Sequence, residues 1–255
     1  MTGRRATFGL AVLIALALSA VAATSASATG TTAFTCVKDA GGSLKGPHCL
    51  TSGSGESYKH VGFNTKTTAT ATNANTASET TAASSVILKG TTAGIITEIT
   101  CSEAHAEGFL ENKENGSAEM FVHATGKLRL TGCVVNKPEK IGCKVKGGEI
   151  TTTELTVTTE GQGDELLVKP AEGGGVTSIT VEGCSNPSCN GTFPLTGTIK
   201  ATANGATFLV TEAGTTTQNT LKFAGQKAGI EASLTIKAHE KEGEETKPIS
   251  VTTVP

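Results

Sequence analysis

The sequence predicts an all-β protein: a disulfide-stapled β-sandwich, Greek-key or jelly-roll-like, with a small cysteine-containing element at its N-terminus. Three observations support this prediction. After residue 29, threonine is the commonest residue, and Thr, Val and Ile fit a pleated sheet well because they branch at Cβ. Apolar residues alternate with polar ones instead of recurring at helical spacing. Asn-Gly and glycine-rich turns separate the alternating runs at short intervals, as hairpins require.

The first element is a predicted secretory signal over residues 1–28. Arg4 and Arg5 precede an apolar run that ends in small residues, and Ala26-Ser27-Ala28 matches an A-x-A cleavage site. The alternative, a membrane anchor, needs about 20 apolar residues, and this run is marginally short. We therefore expect cleavage after Ala28 and a secreted, extracytoplasmic protein without a transmembrane anchor.

Two units are expected after the signal. Residues 29–63 contain Cys36, Cys49 and a Gly/Ser-rich stretch, and are expected to form a cysteine-closed N-terminal element. Residues 64–255 are long enough for one sandwich domain with a sizeable core. The alternation over Thr68–Thr72 is interpreted as an edge strand, with a linker over residues 64–85 as the alternative.

Further strands are predicted wherever apolar residues alternate. They cover Ile95–Cys101, Lys127–Thr131, Glu154–Thr158, Ser178–Val181, Pro194–Ala203, Ala206–Glu212 and Ala232–Ala238. The strongest turn signals are Asn115-Gly116 and Asn204-Gly205, because both central residues of a type I′ turn need positive φ. About twelve to fourteen short strands with hairpin connections indicate a sandwich.

All seven cysteines follow the predicted signal, and export makes disulfide bonding their expected use. They are Cys36, Cys49, Cys101, Cys133, Cys143, Cys184 and Cys189. Local spacing suggests pairing of Cys36 with Cys49 and of Cys133 with Cys143. Cys184 has two alternative partners, Cys189 and Cys101, and one thiol is left over either way. Cys184 and Cys189 are spaced too widely for a zinc knuckle, so no metal site is predicted.

The charge balance excludes one class of partner. Two of the 21 basic residues, Arg4 and Arg5, lie in the predicted signal, which leaves 19 basic against 23 acidic side chains. Nucleic-acid binding needs a clustered basic face, and a mildly acidic chain offers none. We therefore expect no nucleic-acid partner.

No linear motif for catalysis or cofactor binding is present. The histidines, His48, His60, His105, His123 and His239, are the candidates that remain. A hairpin centred on Asn115-Gly116 would pair His105 with Gly126 and His123 with Gly108, on opposite faces of the sheet, which disfavours a shared metal ion. No catalytic, cofactor-binding or metal-ligating residue is predicted. The alternative is an extracellular hydrolase whose Glu- or His-based site is assembled only in the fold.

Strand and turn motifs across most of the mature chain resemble a set of secreted β-rich proteins of unknown function, present in multiple copies in actinobacteria. The segments that carry the resemblance are Phe34–Lys38, His48-Cys49, Tyr58–Val61, Ile99–Cys101, Leu130–Cys133, Ile179–Cys184 and Asn204–Thr207. The Ile-Thr-Cys and Gly-Cys strand ends are also similar to secreted activators of alkane oxidation. Neither resemblance implies catalytic residues.

The predicted function is non-catalytic. We expect a secreted or cell-envelope-associated protein that serves in binding, adhesion or surface display. Its partner would be an unknown extracellular protein, a cell-envelope component or an apolar ligand. An apolar cavity would favour the last of these, whereas a pocket with clustered carboxylates of perturbed pKa would favour the hydrolase.

Overall fold

The structure is a computed structural model that describes residues 30–45, 49, 51–53, 57–73, 85–92, 94–114, 119–139, 142–159, 165–204, 207–210, 220–239 and 247–254. The predicted signal, residues 1–28, lies outside these residues.

The described residues form strands and two short 3-10 turns, Lys146–Gly148 and Pro187–Cys189. The first strands are β1 (Gly30–Lys38), β2 (Leu44–Lys45), β3 (Thr51–Ser52), β4 (Tyr58–Gly62), β5 (Thr67–Asn73), β6 (Val86–Thr92) and β7 (Ile95–Glu114). They continue with β8 (Met120–Lys137), β9 (Lys144–Val145), β10 (Ile150–Thr151), β11 (Leu155–Thr159), β12 (Glu165–Pro170), β13 (Gly175–Glu182) and β14 (Gly191–Thr196). The last are β15 (Ile199–Asn204), β16 (Thr207–Val210), β17 (Lys222–Phe223), β18 (Gln226–Lys227), β19 (Gly229–His239), β20 (Lys247–Pro248) and β21 (Ser250–Val254).

Eight of these strands close into a ring. Each is antiparallel to its neighbours in the order β5, β7, β8, β11, β12, β15, β16, β19, and β19 pairs again with β5. Ring order follows chain order, so the topology is up-and-down. A closed ring removes the unpaired edges that an open sheet exposes.

The connections between ring strands add a second layer at one end. β9 and β10 follow β8, β13 and β14 follow β12, and β17 and β18 follow β16. β6 pairs with the same two neighbours as β5, namely β7 and β19, but at the ends of these strands that belong to the second layer. Their apolar residues, such as Ile179 and Phe223, pack with residues of the ring strands, such as Ile99, and together form one of two core clusters.

The first and last described strands, β1 and β21, cover the opposite end of the ring. β1 pairs with β21 over Gly30–Phe34 and with β4 over Phe34–Lys38. Ala33, Phe63, Ile249 and Val251 are buried in the second core cluster, together with ring residues such as Leu110. The N-terminal element is therefore attached to the ring through β1 and the C-terminal strand.

Three disulfides and one free thiol are present among the cysteines. The predicted Cys36–Cys49 bridge and the single leftover thiol, the buried Cys189, are confirmed. The predicted Cys133–Cys143 bridge is wrong, as are both partners suggested for Cys184. Cys101 is bonded to Cys133 on adjacent strands, and Cys143 is bonded to Cys184. Pairing of β7 with β8 places Cys101 opposite Cys133, and pairing of the short strand β9 with the end of β13 brings Cys143 to Cys184. The prediction relied instead on closeness in sequence.

The all-β class is confirmed, but the sandwich, in Greek-key or jelly-roll-like form, is not confirmed by these pairings. Sandwich strands and barrel strands alternate inward and outward in the same way, so alternation alone does not distinguish them. The predicted strand over Thr68–Thr72 is present as part of β5. It is one of the ring strands, paired with β7 on one side and β19 on the other, and is not an edge strand. The predicted Pro194–Ala203 strand is two strands, β14 and β15.

The predicted register of the β7–β8 hairpin is three residues out. Gly108 lies opposite Gly126, so His105 faces Arg129 and His123 faces Glu111. An odd shift moves one histidine to the other face, and both now lie on the outside of the ring. Their rungs are six residues apart, roughly 20 Å along the strands. The Asn115-Gly116 turn itself lies outside the described residues.

Candidate apolar binding cavity

The interior of the ring contains a cavity of about 180 Å³. Described residues of β5, β7, β8, β11, β12, β15 and β19 contribute to its lining. Its apolar side chains include Leu110, Val122, Val157, Leu166, Ile236 and Ile249. An eight-stranded ring is just wide enough either to be filled by side chains or to hold one small ligand.

Small residues explain why this interior is not filled. Ala69, Ala71, Ala106, Ala124 and Ala201 occupy lining positions where Leu or Ile would extend into the space. Because inward positions alternate along each strand, these residues face the ring axis from four different strands. The cavity follows from residue choice at several inward positions.

Two glycines bring β7 and β8 unusually close together beside the cavity. A Cβ atom added to Gly108 would lie 1.9 Å from the backbone oxygen of Thr125, and one added to Gly126 would lie 2.5 Å from that of Glu107. Only glycine fits such an approach without displacing the backbone. This pair therefore permits the close approach of the two strands and leaves this part of the wall without side chains.

Both ends of the cavity are bounded by core side chains. At the end covered by the termini, Ile249 is completely buried, and its N–H donates to the carbonyl oxygen of Ile236 at 3.4 Å. At the other end, Leu128, Leu155, Ile199 and Ile230 belong to both the lining and the second-layer core. These side chains limit the length of the ligand space along the ring axis.

The lining offers no charged group to a ligand. Glu107 and Lys127 border the cavity but are exposed and lie at outward positions of β7 and β8. The hydroxyl of Thr70, also at an outward position, is 2.9 Å from Nε2 of His239. The backbone groups of the wall are paired in the strand ladders. Such a space favours a neutral, apolar occupant.

An open polar groove of about 440 Å³ lies on the outer face of the same strands. It is lined by Thr72, Asn73, Ser102, Glu103, Ala104, His105, Arg129 and Thr131. The groove gathers a carboxylate, an imidazole and a guanidinium, as the hydrolase alternative requires. Each already has a partner on the protein. Glu103 accepts from the Thr131 hydroxyl, His105 is 2.9 Å from Glu107, and Arg129 binds both oxygens of Glu149.

The pKa shifts near the groove arise from these surface pairs. The hydrogen bond and charge of Arg129 lower the pKa of the Glu149 carboxyl, and Glu149 raises the pKa of Arg129 in return. Both groups are solvent-exposed, so the pair contributes little to stability. A carboxyl whose pKa is lowered is a poor general acid at neutral pH. The groove therefore has the character of a solvated ion-pair surface.

The remaining predicted candidates do not assemble into a site. His60 stacks on Phe34 with ring centroids 3.8 Å apart and is 3.0 Å from the carbonyl oxygen of Cys49. Partial burial and the Lys113 charge lower the pKa of His123. His48 lies outside the described residues. Within the described ranges, no group of three or more His, Cys, Asp or Glu side chains is placed to hold a metal ion.

The cavity was missed by reasoning from sequence, although one signal was present. Alanine recurs at alternate positions over Thr68–Thr72, a pattern that by itself predicts an edge strand. In a ring, small residues on the inward face of a central strand leave space. Recognising them required knowing that the sheet closes.

Comparisons with protein-family models, with curated proteins and with solved structures gave no match. Among the residues described, no helix is long and apolar enough to cross a membrane.

Proposed function

We propose that this chain is an exported, non-catalytic binding protein whose ring of strands holds one small apolar molecule. The observation that carries the proposal is the cavity of about 180 Å³ with its apolar lining. An engineered cavity of about 150 Å³ in another protein, lined by Leu, Ile and Phe, stays dry and takes up benzene or xenon. A cavity of this size and chemistry is therefore sufficient for a ligand.

Export is part of the proposal. Three disulfides favour an oxidising compartment, because thiols are kept reduced in the cytosol. The predicted signal over residues 1–28 supports the same compartment. Membership of the multicopy secreted proteins of actinobacteria is proposed on the strand and turn resemblance alone.

The test is a titration of the full secreted chain with toluene, followed by the methyl NMR signals of Val122, Leu166 and Ile236. We expect saturable shifts confined to methyl groups around the cavity. Ala124→Leu replaces an inward methyl group with an isobutyl group that fills the space, and should weaken binding at least tenfold.

Thr156→Leu is the matched control. Thr156 precedes Val157 on β11, so its side chain points to the other face of the wall. This variant should bind toluene as the wild type does. Absence of saturable shifts in the wild-type protein, or equal binding by Ala124→Leu, would contradict the proposed function.

The hydrolase alternative makes a different prediction. It places the chemistry in the outer groove, so an activity found for this protein would be abolished by His105→Ala and unchanged by Ala124→Leu. The apolar-ligand proposal expects the reverse sensitivity, with binding lost in Ala124→Leu and kept in His105→Ala.

A further inference from the structure

We infer, on the basis of the proposed function, that the ligand is a neutral hydrocarbon group about the size of a single six-membered ring, without a hydroxyl, amine or carboxylate. This inference narrows an apolar ligand to one chemical class and one size. It rests on two independent properties of the cavity: its described lining offers no free polar partner, and packed core side chains bound it at both ends.

The polarity argument starts from hydrogen-bonding capacity. The strands around the cavity use their backbone N–H and C=O groups in ladders with both neighbours. The polar side chains that border it, Thr70, Glu107, Thr125 and Lys127, all lie at outward positions of their strands. A buried hydroxyl without a partner is penalised by its lost hydration. A phenol should therefore bind much more weakly than benzene.

The size argument starts from the two ends. Ile249 is fully buried at one end, beneath the paired strands β1 and β21. At the other end, Ile230 and Leu155 are buried in the second-layer core. A long alkyl chain would have to displace one of these packed groups. About 180 Å³ is only slightly more than the space that holds benzene elsewhere.

The experiment is a binding series with the full secreted chain, using benzene, toluene, phenol, naphthalene and dodecane as probes. We expect saturable binding of benzene and toluene. Phenol should bind about tenfold more weakly or worse, because its hydroxyl has no partner in the lining. Naphthalene and dodecane should not bind.

Ile249→Ala tests the size limit from the protein side. Removal of this side chain enlarges the cavity, so the variant should gain binding of naphthalene. Ile179→Ala, the same change at a buried position of β13 outside the cavity lining, is the control and should not. If Ile249→Ala does not fold, the wild-type series still decides the inference.

The outcomes separate the inference from the proposed function. Tighter binding of dodecane than of benzene, or equal binding of phenol and benzene, would overturn the inferred ligand class and leave apolar binding standing. Failure of every probe, benzene included, would overturn the proposed function as well.

Discussion

Asparagine side chains replace backbone pairing at three irregular points of this fold. Asn112 accepts from the N–H of Ala33 and donates to its carbonyl oxygen, both at 2.8 Å. Asn190 does the same for Cys184, at 2.9 and 3.1 Å. Asn73 accepts from the N–H of Ala104 and donates to the carbonyl oxygen of Ser102. An amide can substitute for one strand residue because it carries both a donor and an acceptor.

The Asn112 pairing predicts a large effect of truncation. Ala33 is completely buried, so Asn112→Ala leaves its N–H without the Asn112 acceptor, while its carbonyl oxygen keeps only the N–H of Phe63, 3.3 Å away. We expect a loss of about 1–3 kcal/mol in the free energy of unfolding, measured in urea. Asn136→Ala removes an amide of the same size from an exposed position and should change stability by less than about 0.5 kcal/mol. Equal effects of the two changes would contradict the role of Asn112.

His123 predicts a pH dependence of stability. Burial and the Lys113 charge lower its pKa in the folded protein, against a partial opposing effect of Glu111. The unfolded chain then binds a proton more readily than the folded one just below the ordinary pKa of about 6.5. Stability should therefore fall as pH decreases from 7 to 5.

His123→Gln should flatten this part of the stability profile, as followed by urea unfolding at a series of pH values. Glu111 acts in a lower window: its pKa is lowered by Lys113, so its contribution is lost only as pH falls below about 4.5. An unchanged slope between pH 5 and 7 in His123→Gln would disprove the assignment to this side chain.

At the scale of elements, β7 and β8 determine where most other strands lie. The inward face of both strands changes near Ser102 and Gly132. On the ring side of this point the buried residues have even numbers, and on the side of the second-layer core they have odd numbers. Gly132 has a φ of 62°, and a Cβ atom there would lie 2.1 Å from the Ser102 Oγ. The positive φ favours glycine at this point, where the ring and the second-layer core meet.

Adjacent leucines on β12 test the inward and outward faces. Leu166 is buried in the core next to the cavity, and Leu167 is partly exposed on the outside. Leu166→Ala should lower the free energy of unfolding by about 2–5 kcal/mol, as large-to-small core changes do. Leu167→Ala, chemically the same change, should lower it by less than about 1 kcal/mol. Both variants are compared by chemical denaturation. A larger loss of stability in Leu167→Ala than in Leu166→Ala would contradict the assignment of Leu166 to the inward face.

At the scale of the whole molecule, local patterns predicted the strands and their approximate bounds, but not the closure of the sheet. Alternation identified the strand now seen at β11 and the core of β13 because side-chain direction is a local property. Ring closure depends on β19 returning to β5, a contact between residues such as His239 and Thr68 that lie far apart in sequence. No local pattern reports that contact.

One long-range signal was available for the hairpin register. Cys101 and Cys133 lie on one rung of β7 and β8, at equal distances from residue 117. Assuming that bridge would have given the observed register, with Gly108 opposite Gly126. The prediction placed the turn at Asn115-Gly116 and paired Cys133 with Cys143, so it did not use this signal. The cavity could not be predicted, since its walls come from seven strands brought together only by closure.

The most direct test of the central claim is diffraction from crystals of the protein pressurised with xenon, which occupies dry apolar cavities without needing hydrogen bonds. We predict xenon density inside the ring, among Val122, Leu166, Ile236 and Ile249, and its loss in Ala124→Leu. Side chains filling the ring interior, with no xenon bound there, would contradict the account.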